Sequence, residues 1–129
     1  MKSLTPTYSV TALPDNREVH FAMSGLFDIE TLDRFTADLS AAGMPLVKSG
    51  GPIRVFGDLT GFVAQTRPVA QRIEKIVHES RKLGVERTAI ITDTKLTALQ
   101  YRRVNEGITV EIFDNKADAI FWLRNEVVA

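Results

Sequence analysis

The side chains that could do acid–base chemistry are few and lie apart from one another in the sequence. Asp58 ends an apolar segment that we predict to be a central parallel strand, and α/β sheets hold their ligands at the carboxyl ends of such strands. A general base also needs a partner, and Asp58 has no histidine, second carboxylate or metal ligand near it. We therefore expect Asp58 to cap the loop that follows its strand and not to act as a base.

The two histidines do not have the spacing of a metal site. His20 lies in a predicted hairpin, and His78 lies in a predicted helix with Glu74 four residues before it. A single pair at that spacing is usually a solvated contact. The chain has no cysteine, which excludes disulfides, thiolate nucleophiles and iron–sulfur clusters. Since no nucleophile, base and orienting group can be combined, we predict a binding protein with no catalytic residue, cofactor or metal, and not an enzyme.

The composition is that of one globular domain over residues 1–129, with 44% hydrophobic and 25% charged residues. The 16 basic residues balance the 16 acidic residues, so no overall field attracts nucleic acid or an anionic membrane. The first residues lack an apolar run of signal-peptide length, and no stretch approaches the roughly 18 apolar residues of a membrane helix. We expect a cytoplasmic protein that neither binds nucleic acid nor inserts into a membrane.

Hydrophobic periodicity divides the chain into the order ββαβαβαβα. Alternation over residues 8–12 and 19–23 predicts two strands joined by a tight turn at Pro14-Asp15-Asn16. Apolar residues three or four apart then predict a first helix that Asp28 caps and Gly43 ends, before a plain loop over residues 44–52. Nearly continuous apolar runs, with Ile53 and Val55 in one and Ile90 and Ile91 in the other, predict strands in the buried middle of the sheet.

The second half of the chain completes an α/β domain. A second helix begins near Pro68 and stops at Gly84. The predicted elements after it are a weaker third helix at Leu96, Leu99 and Val104, a strand at Ile108, Val110 and Ile112, and a closing helix, capped by Asp114 or Asn115, with Ala117, Ile120, Phe121 and Val127 on its inner face. Such an order requires a mostly parallel five-stranded sheet with one antiparallel strand and about four helices.

Two segments resemble a known family. Asp58-Leu59-Thr60 closes the central strand, and Ile112-Phe113-Asp114 precedes Ala117-Asp118-Ala119-Ile120-Phe121-Trp122-Leu123. With the element order, they resemble a STAS-type domain over residues 7 to 125, most closely the SpoIIAA-like branch of small bacterial proteins. The resemblance implies a non-enzymatic, regulatory or protein-binding module. That branch is also similar in fold to CRAL-TRIO lipid-transfer domains, which implies an apolar ligand as the alternative.

The start of the second helix departs from the family pattern. Anti-sigma factor antagonists have Met-Asp-Ser-Ser-Gly there, with a phosphorylated serine that controls partner binding, whereas this chain reads Gly61-Phe62-Val63-Ala64-Gln65-Thr66-Arg67-Pro68. Thr66 is the hydroxyl left near the helix start, and we expect it to cap the helix. The alternative is a regulatory site, since a phosphate on Thr66 would meet the positive helix end and Arg67.

Charge is balanced overall but uneven along the chain. The first helix has four acidic residues and one arginine, whereas residues 67 to 87 have six basic and three acidic residues. These two charged segments are either two ordinary solvated helix faces or one bipolar surface. In the second case the surface, with Arg72 and Lys75, steers a protein partner or a second copy of the chain. Trp122 is expected to pack partly in the core, or to anchor an interface if it is exposed. An apolar ligand requires a cavity of roughly 300 Å³ or more, whereas a protein-binding module can have a solid core.

Overall fold

The computed structural model describes residues 4–94 and 109–125 of the chain. Its strands are β1 (Thr7–Leu13), β2 (Glu18–Ser24), β3 (Ile53–Asp58), β4 (Val85–Ile91) and β5 (Thr109–Phe113), and its helices are α1 (Ile29–Ser49), α2 (Arg67–Lys82) and α3 (Lys116–Arg124). The described ranges thus hold five strands and three helices. The weaker helix predicted at Leu96, Leu99 and Val104 lies outside the described residues, as do Ile108 and Val127.

The five strands form one mixed sheet in the order β1-β2-β3-β4-β5. β1 and β2 pair antiparallel, and the other three pairs are parallel, as the alternation of strands and helices predicts. β3 and β4 are therefore interior strands. Ile53 and Ile90 on them are buried, as predicted, but Val55 and Ile91 are only half-buried. Val55 lies beneath the cavity described below, which explains its exposure.

The helices cover both faces of the sheet. α1 and α2 pack on one face, where Phe35 of α1 and Val69 of α2 join Met23 and Ile90 of the strands in one apolar cluster. α3 packs on the other face, where Ala119 and Leu123 contact Phe56 and Ala89. Alternate residues of the interior strands are thus buried under different helices, which accounts for their nearly continuous apolar sequence.

α1 is longer than its sequence predicts. Asp28 caps it as expected, since the Asp28 carboxylate accepts a hydrogen bond from the Thr31 amide at 2.7 Å. The helix does not end at Gly43, however, and residues 44–49 are helical rather than loop. Leu46 is the physical reason, because it is buried against Val19 and Ile53 of the sheet. This burial offsets the poor helix propensity of Gly43 and of Pro45.

Arg17 stabilises the far end of α1. It follows a single 3-10 turn at Pro14–Asn16 and has φ +53°, so the predicted tight turn is present. Its guanidinium donates to the carbonyl of Leu46 at 2.8 Å, to that of Pro52 at 2.9 Å and to the Ser49 hydroxyl at 2.8 Å. A cation at a helix C-terminus also complements the helix dipole. The first hairpin therefore holds the extension of α1 in place.

The inner face predicted for the closing helix is wrong at two of its described positions. Ile120 is partly buried against the sheet, as predicted, but Ala117 is exposed and Phe121 is 69% exposed. Ala119 and Leu123 of α3 are the fully buried residues. The cap is Asn115, whose side chain accepts from the Asp118 amide at 2.9 Å. Two arginines set the helix rotation, because Arg54 of β3 and Arg87 of β4 donate to carbonyls at the end of α3. The apolar pattern of this short helix alone cannot specify that choice.

Trp122 is partly buried, as predicted, at the edge of this layer. Its ring lies 5.7 Å from that of Phe113, and the Arg87 guanidinium lies 4.7 Å from the Trp122 ring centroid. Aromatic and cation–π contacts within the chain therefore account for the partial burial of Trp122, and no interface is needed to explain it.

Candidate functional site

A cavity lies between the sheet and the pair α1 and α2. Its volume is about 700 Å³. Its floor is formed by β2 and β3, and its walls are the facing stripes of the two helices. Most lining side chains are apolar, among them Phe21, Met23, Leu39, Val55, Ile73 and Ile76. The arrangement can hold an apolar molecule against the centre of the sheet.

The sequence leaves this space open at identifiable positions. Gly43 lines the cavity from α1, and a Cβ atom built there meets nothing within 4 Å. Met44 and Val47, which belong to the unexpected extension of α1, form part of the same wall. In the sheet, Gly57 of β3 has no free space above it, since a Cβ there would collide with the side chains of Phe21 and Ile90. The cavity therefore extends over Val55 but not over Gly57, where these two side chains fill the space.

Two of the predicted site residues, Arg72 and Lys75, line the cavity. Arg72 of α2 forms an ion pair with Asp33 of α1, which joins the two walls. The Arg72 and Asp33 side chains are 43% and 53% exposed, so their pair contributes little to stability by itself. Glu79 is the other acidic residue of the lining. The structure thus places the two predicted cations on the rim of an apolar space, an arrangement that their spacing in the sequence did not indicate.

The acidic residues of α1 have partners within the molecule. The pairs are Asp28 with Thr31, Glu30 with Arg34, Asp33 with Arg72, and Asp38 with Tyr8. The Tyr8 hydroxyl donates to Asp38 at 2.7 Å, and this hydrogen bond is the main reason that the pKa of Tyr8 is raised. Because α1 and α2 lie side by side, part of their opposite charge is neutralised internally.

The other three predicted residues, Asp58, Thr66 and Arg67, do not line this cavity. Asp58 accepts a hydrogen bond from the Thr60 amide at 2.9 Å, so it caps its loop as expected. It also borders a small recess of about 280 Å³ between the start of β1 and the ends of β2 and β3. Arg67 is exposed at the first position of α2.

The hydroxyl cap predicted for Thr66 is wrong. Thr66 is the N-cap residue of α2, but its side chain makes no capping hydrogen bond. An N-cap side chain bonds the amide of the second or third helical residue, and Pro68 at the second position has no N–H, which removes one of these two donors. The exposed Thr66 takes part in the helix through its carbonyl, which accepts from the Ala70 amide at 2.9 Å.

A buried charge cluster on the opposite face was missed by sequence reasoning. Glu18 of β2 is fully buried and accepts from the Arg124 guanidinium at 2.9 and 3.0 Å, and His20 lies 2.9 Å from the same carboxylate. Burial raises the pKa of Glu18, but hydrogen bonds from Arg124 and His20 outweigh it and leave the pKa below its usual value. The cluster connects α3 to the sheet. No local signal indicated this cluster, because Glu18 and His20 alternate with Val19 and Phe21 and so lie on the face of the strand that the pattern assigns to solvent.

His78 and Glu74 form the pair that their spacing predicts. His78 and Glu74 lie 3.8 Å apart, with both side chains more than half exposed, so they form a solvated pair. Over residues 4–94 and 109–125, no three histidine, aspartate or glutamate side chains come together in a metal-binding group. No helix within those ranges is long and apolar enough to cross a membrane.

Comparison with solved structures identifies the fold. An uncharacterised DUF3478-family protein with a SpoIIAA-like fold from Shewanella loihica PV-4 matches with a TM-score of 0.75 over 95% of this chain and 98% of its own, at 22% identity. This chain has a SpoIIAA-like fold. An anti-sigma factor antagonist from Mycobacterium paratuberculosis matches with a TM-score of 0.60 over 94% of this chain and 96% of its own, at 12% identity. The resemblance to STAS-type domains is thereby confirmed for the fold.

Sequence comparison finds less. No protein-family model matches the chain, and no curated protein matches it. At identities of 22% and 12%, the two solved structures establish the fold alone. Function therefore has to be argued from the cavity and its rim.

Proposed function

We propose that this SpoIIAA-like domain is a non-enzymatic binding module that holds an apolar small molecule between α1 and α2. The single observation behind this is the cavity of about 700 Å³. Pockets that hold small molecules have roughly 300 to 1,000 Å³. The space is open to solvent on the side where Arg72, Lys75 and Glu79 are exposed, so a ligand can enter it. A space of this size over the centre of a sheet is therefore suited to a ligand.

The driving force for binding is the apolar surface of the cavity. Phe21, Leu39 and Ile73 contribute aliphatic and aromatic surface from three elements. Burial of a ligand against them removes apolar area from water on both sides. Among the residues that the structure describes, the lining has no histidine, and its Asp33–Arg72 ion pair joins the two helices. These features favour a carrier or sensor of the ligand over an enzyme.

The test is titration with N-phenyl-1-naphthylamine, an uncharged apolar dye whose fluorescence rises in apolar surroundings. We expect saturable binding at one site per chain. Gly43→Leu should weaken dye binding about tenfold or more, because its side chain enters open space on the lining. Ala117→Leu is the control, because Ala117 is an exposed position of α3, which packs on the opposite face of the sheet, and this variant should bind the dye normally. Non-saturable binding, or equal binding by Gly43→Leu, would refute the proposal.

A second candidate is regulation through a protein partner. It is supported by the anti-sigma factor antagonist among the structural neighbours and by the exposed start of α2 at Thr66 and Arg67. Capture of a partner from the native cells by the wild-type protein, and its loss with Arg67→Glu, would support this role. Equal capture by both proteins would exclude the start of α2 as the binding site for that partner. Cytoplasmic location stays a prediction, which fractionation of those cells would test.

A further inference from the structure

One cation on the cavity rim has no ion-pair partner. Four ionisable side chains line the cavity, namely Asp33, Arg72, Lys75 and Glu79, and their formal charges sum to zero. Arg72 is paired with Asp33 across the two helices. Glu79 lies 4.0 Å from Lys82, one turn further along α2. Lys75 forms no ion pair with any of the residues that the structure describes, so it is the lining cation that is free to bind an added anion.

We infer that the ligand of this cavity is an amphipathic monoanion, an apolar chain with one terminal carboxylate, and that Lys75 binds the carboxylate. This inference rests on the proposed function, because it presupposes that the cavity holds an apolar chain. Lys75 is exposed, so its ammonium remains hydrated at the rim while its methylene groups lie along apolar surface. The anion is therefore bound without being transferred into the apolar interior.

A single free lysine favours a carboxylate over a phosphate. A phosphate monoester carries nearly two negative charges at neutral pH, and its recognition favours several cations or a bidentate arginine. The rim arginine is already paired with Asp33. One lysine without an ion-pair partner, a compact point charge, is matched by one negative charge. A cationic head group would meet Lys75 with repulsion.

The experiment is displacement of N-phenyl-1-naphthylamine by four ligands with the same chain: dodecanoate, dodecanol, dodecylamine and dodecyl phosphate. Wild-type protein should bind dodecanoate most tightly and dodecylamine least. Lys75→Gln should weaken dodecanoate binding about fivefold, as for an exposed ion pair, and leave dodecanol unchanged. Lys75→Glu should reverse the order of dodecanoate and dodecylamine. Lys48→Gln, the same charge change on α1 away from the lining, should leave all four affinities unchanged.

The outcomes separate this inference from the proposed function. If all four ligands displace the dye and Lys75→Gln does not alter the ratio of dodecanoate to dodecanol, the cavity binds chains without reading the head group, and only the inference fails. If dodecyl phosphate binds more tightly than dodecanoate, the monoanion assignment is wrong. If the dye binds the wild-type protein at one saturable site and none of the four ligands displaces it, only the inference fails, whereas the absence of saturable dye binding refutes both the inference and the proposed function. Circular dichroism of each variant checks that α2 remains folded.

Discussion

Replacing Gly43 by alanine should make the protein more stable. Gly43 lies inside α1, which continues to Ser49, and it is not among the glycines with positive φ. Alanine in a helix interior is favoured over glycine by roughly 0.5–1 kcal/mol, partly because glycine loses more conformational freedom on folding. A Cβ at position 43 meets nothing within 4 Å, so no clash reduces the gain. We expect Gly43→Ala to raise the free energy of unfolding by about that amount.

Urea denaturation followed by circular dichroism measures the change. The midpoint should rise with the slope unchanged, and the melting temperature should rise by roughly 2 to 8 °C. Gly50→Ala is the matched control, because Gly50 also has open space but has φ +75° at the end of the helix. It should cost roughly 1 to 3 kcal/mol, the strain of a side chain in that backbone region. If Gly43→Ala destabilises the protein as Gly50→Ala does, then the helix ends at Gly43 and the wall of the cavity is wrongly placed.

Three further predictions test the core, the start of α2 and the buried charge. Ile90→Ala should lower the free energy of unfolding by about 2 to 4 kcal/mol, because Ile90 is fully buried, and a loss below about 0.5 kcal/mol would mean that the site is not in the core. Thr66→Ala should cost less than about 0.5 kcal/mol in the same assay, since no capping hydrogen bond is lost, and a cost near 1 kcal/mol would restore the hydroxyl cap. The pKa of Glu18 is lowered from its usual value of 4.5, so the stability that its carboxylate contributes is present above that pH and is lost as pH falls through the folded-state pKa. Glu18→Gln should therefore be less stable at neutral pH and lose less stability on acidification, and parallel pH profiles for the two proteins would contradict the shift.

Local signals were sufficient for much of the fold. Asp28 and Asn115 cap α1 and α3 because their short polar side chains reach amides within the same turn, and such contacts can be read from neighbouring residues. Gly84, with φ +107°, follows α2 for a similarly local reason. The parallel pairing of β2 to β5 follows from the alternation of strands and helices, whereas the strand order does not, because sheets with other orders have the same alternation.

The features that the sequence did not predict depend on contacts between residues that are distant along the chain. Glu18 pairs with Arg124 across 106 positions, so neither residue alone indicates a buried ion pair. The rotation of α3 depends on arginines of β3 and β4, and the length of α1 depends on the burial of Leu46 against the sheet. The cavity is harder still to predict. Its volume is the small difference between two large volumes, the space enclosed by α1, α2 and the sheet and the volume of the side chains that fill that space.

The length of α1 and the cavity have a common cause. Val19 and Ile53 need a cover on this face of the sheet, and a helix that ended at Gly43 would leave them exposed. The extension covers them through Leu46, while Gly43 leaves unfilled the space that a larger side chain would occupy. Glycine and Pro45 each weaken a helix, and alanine at position 43 would be favourable by local criteria. Residues that lower local stability are expected at functional sites, and here they lie in and beside the wall of the cavity, which favours ligand binding as the role of this space.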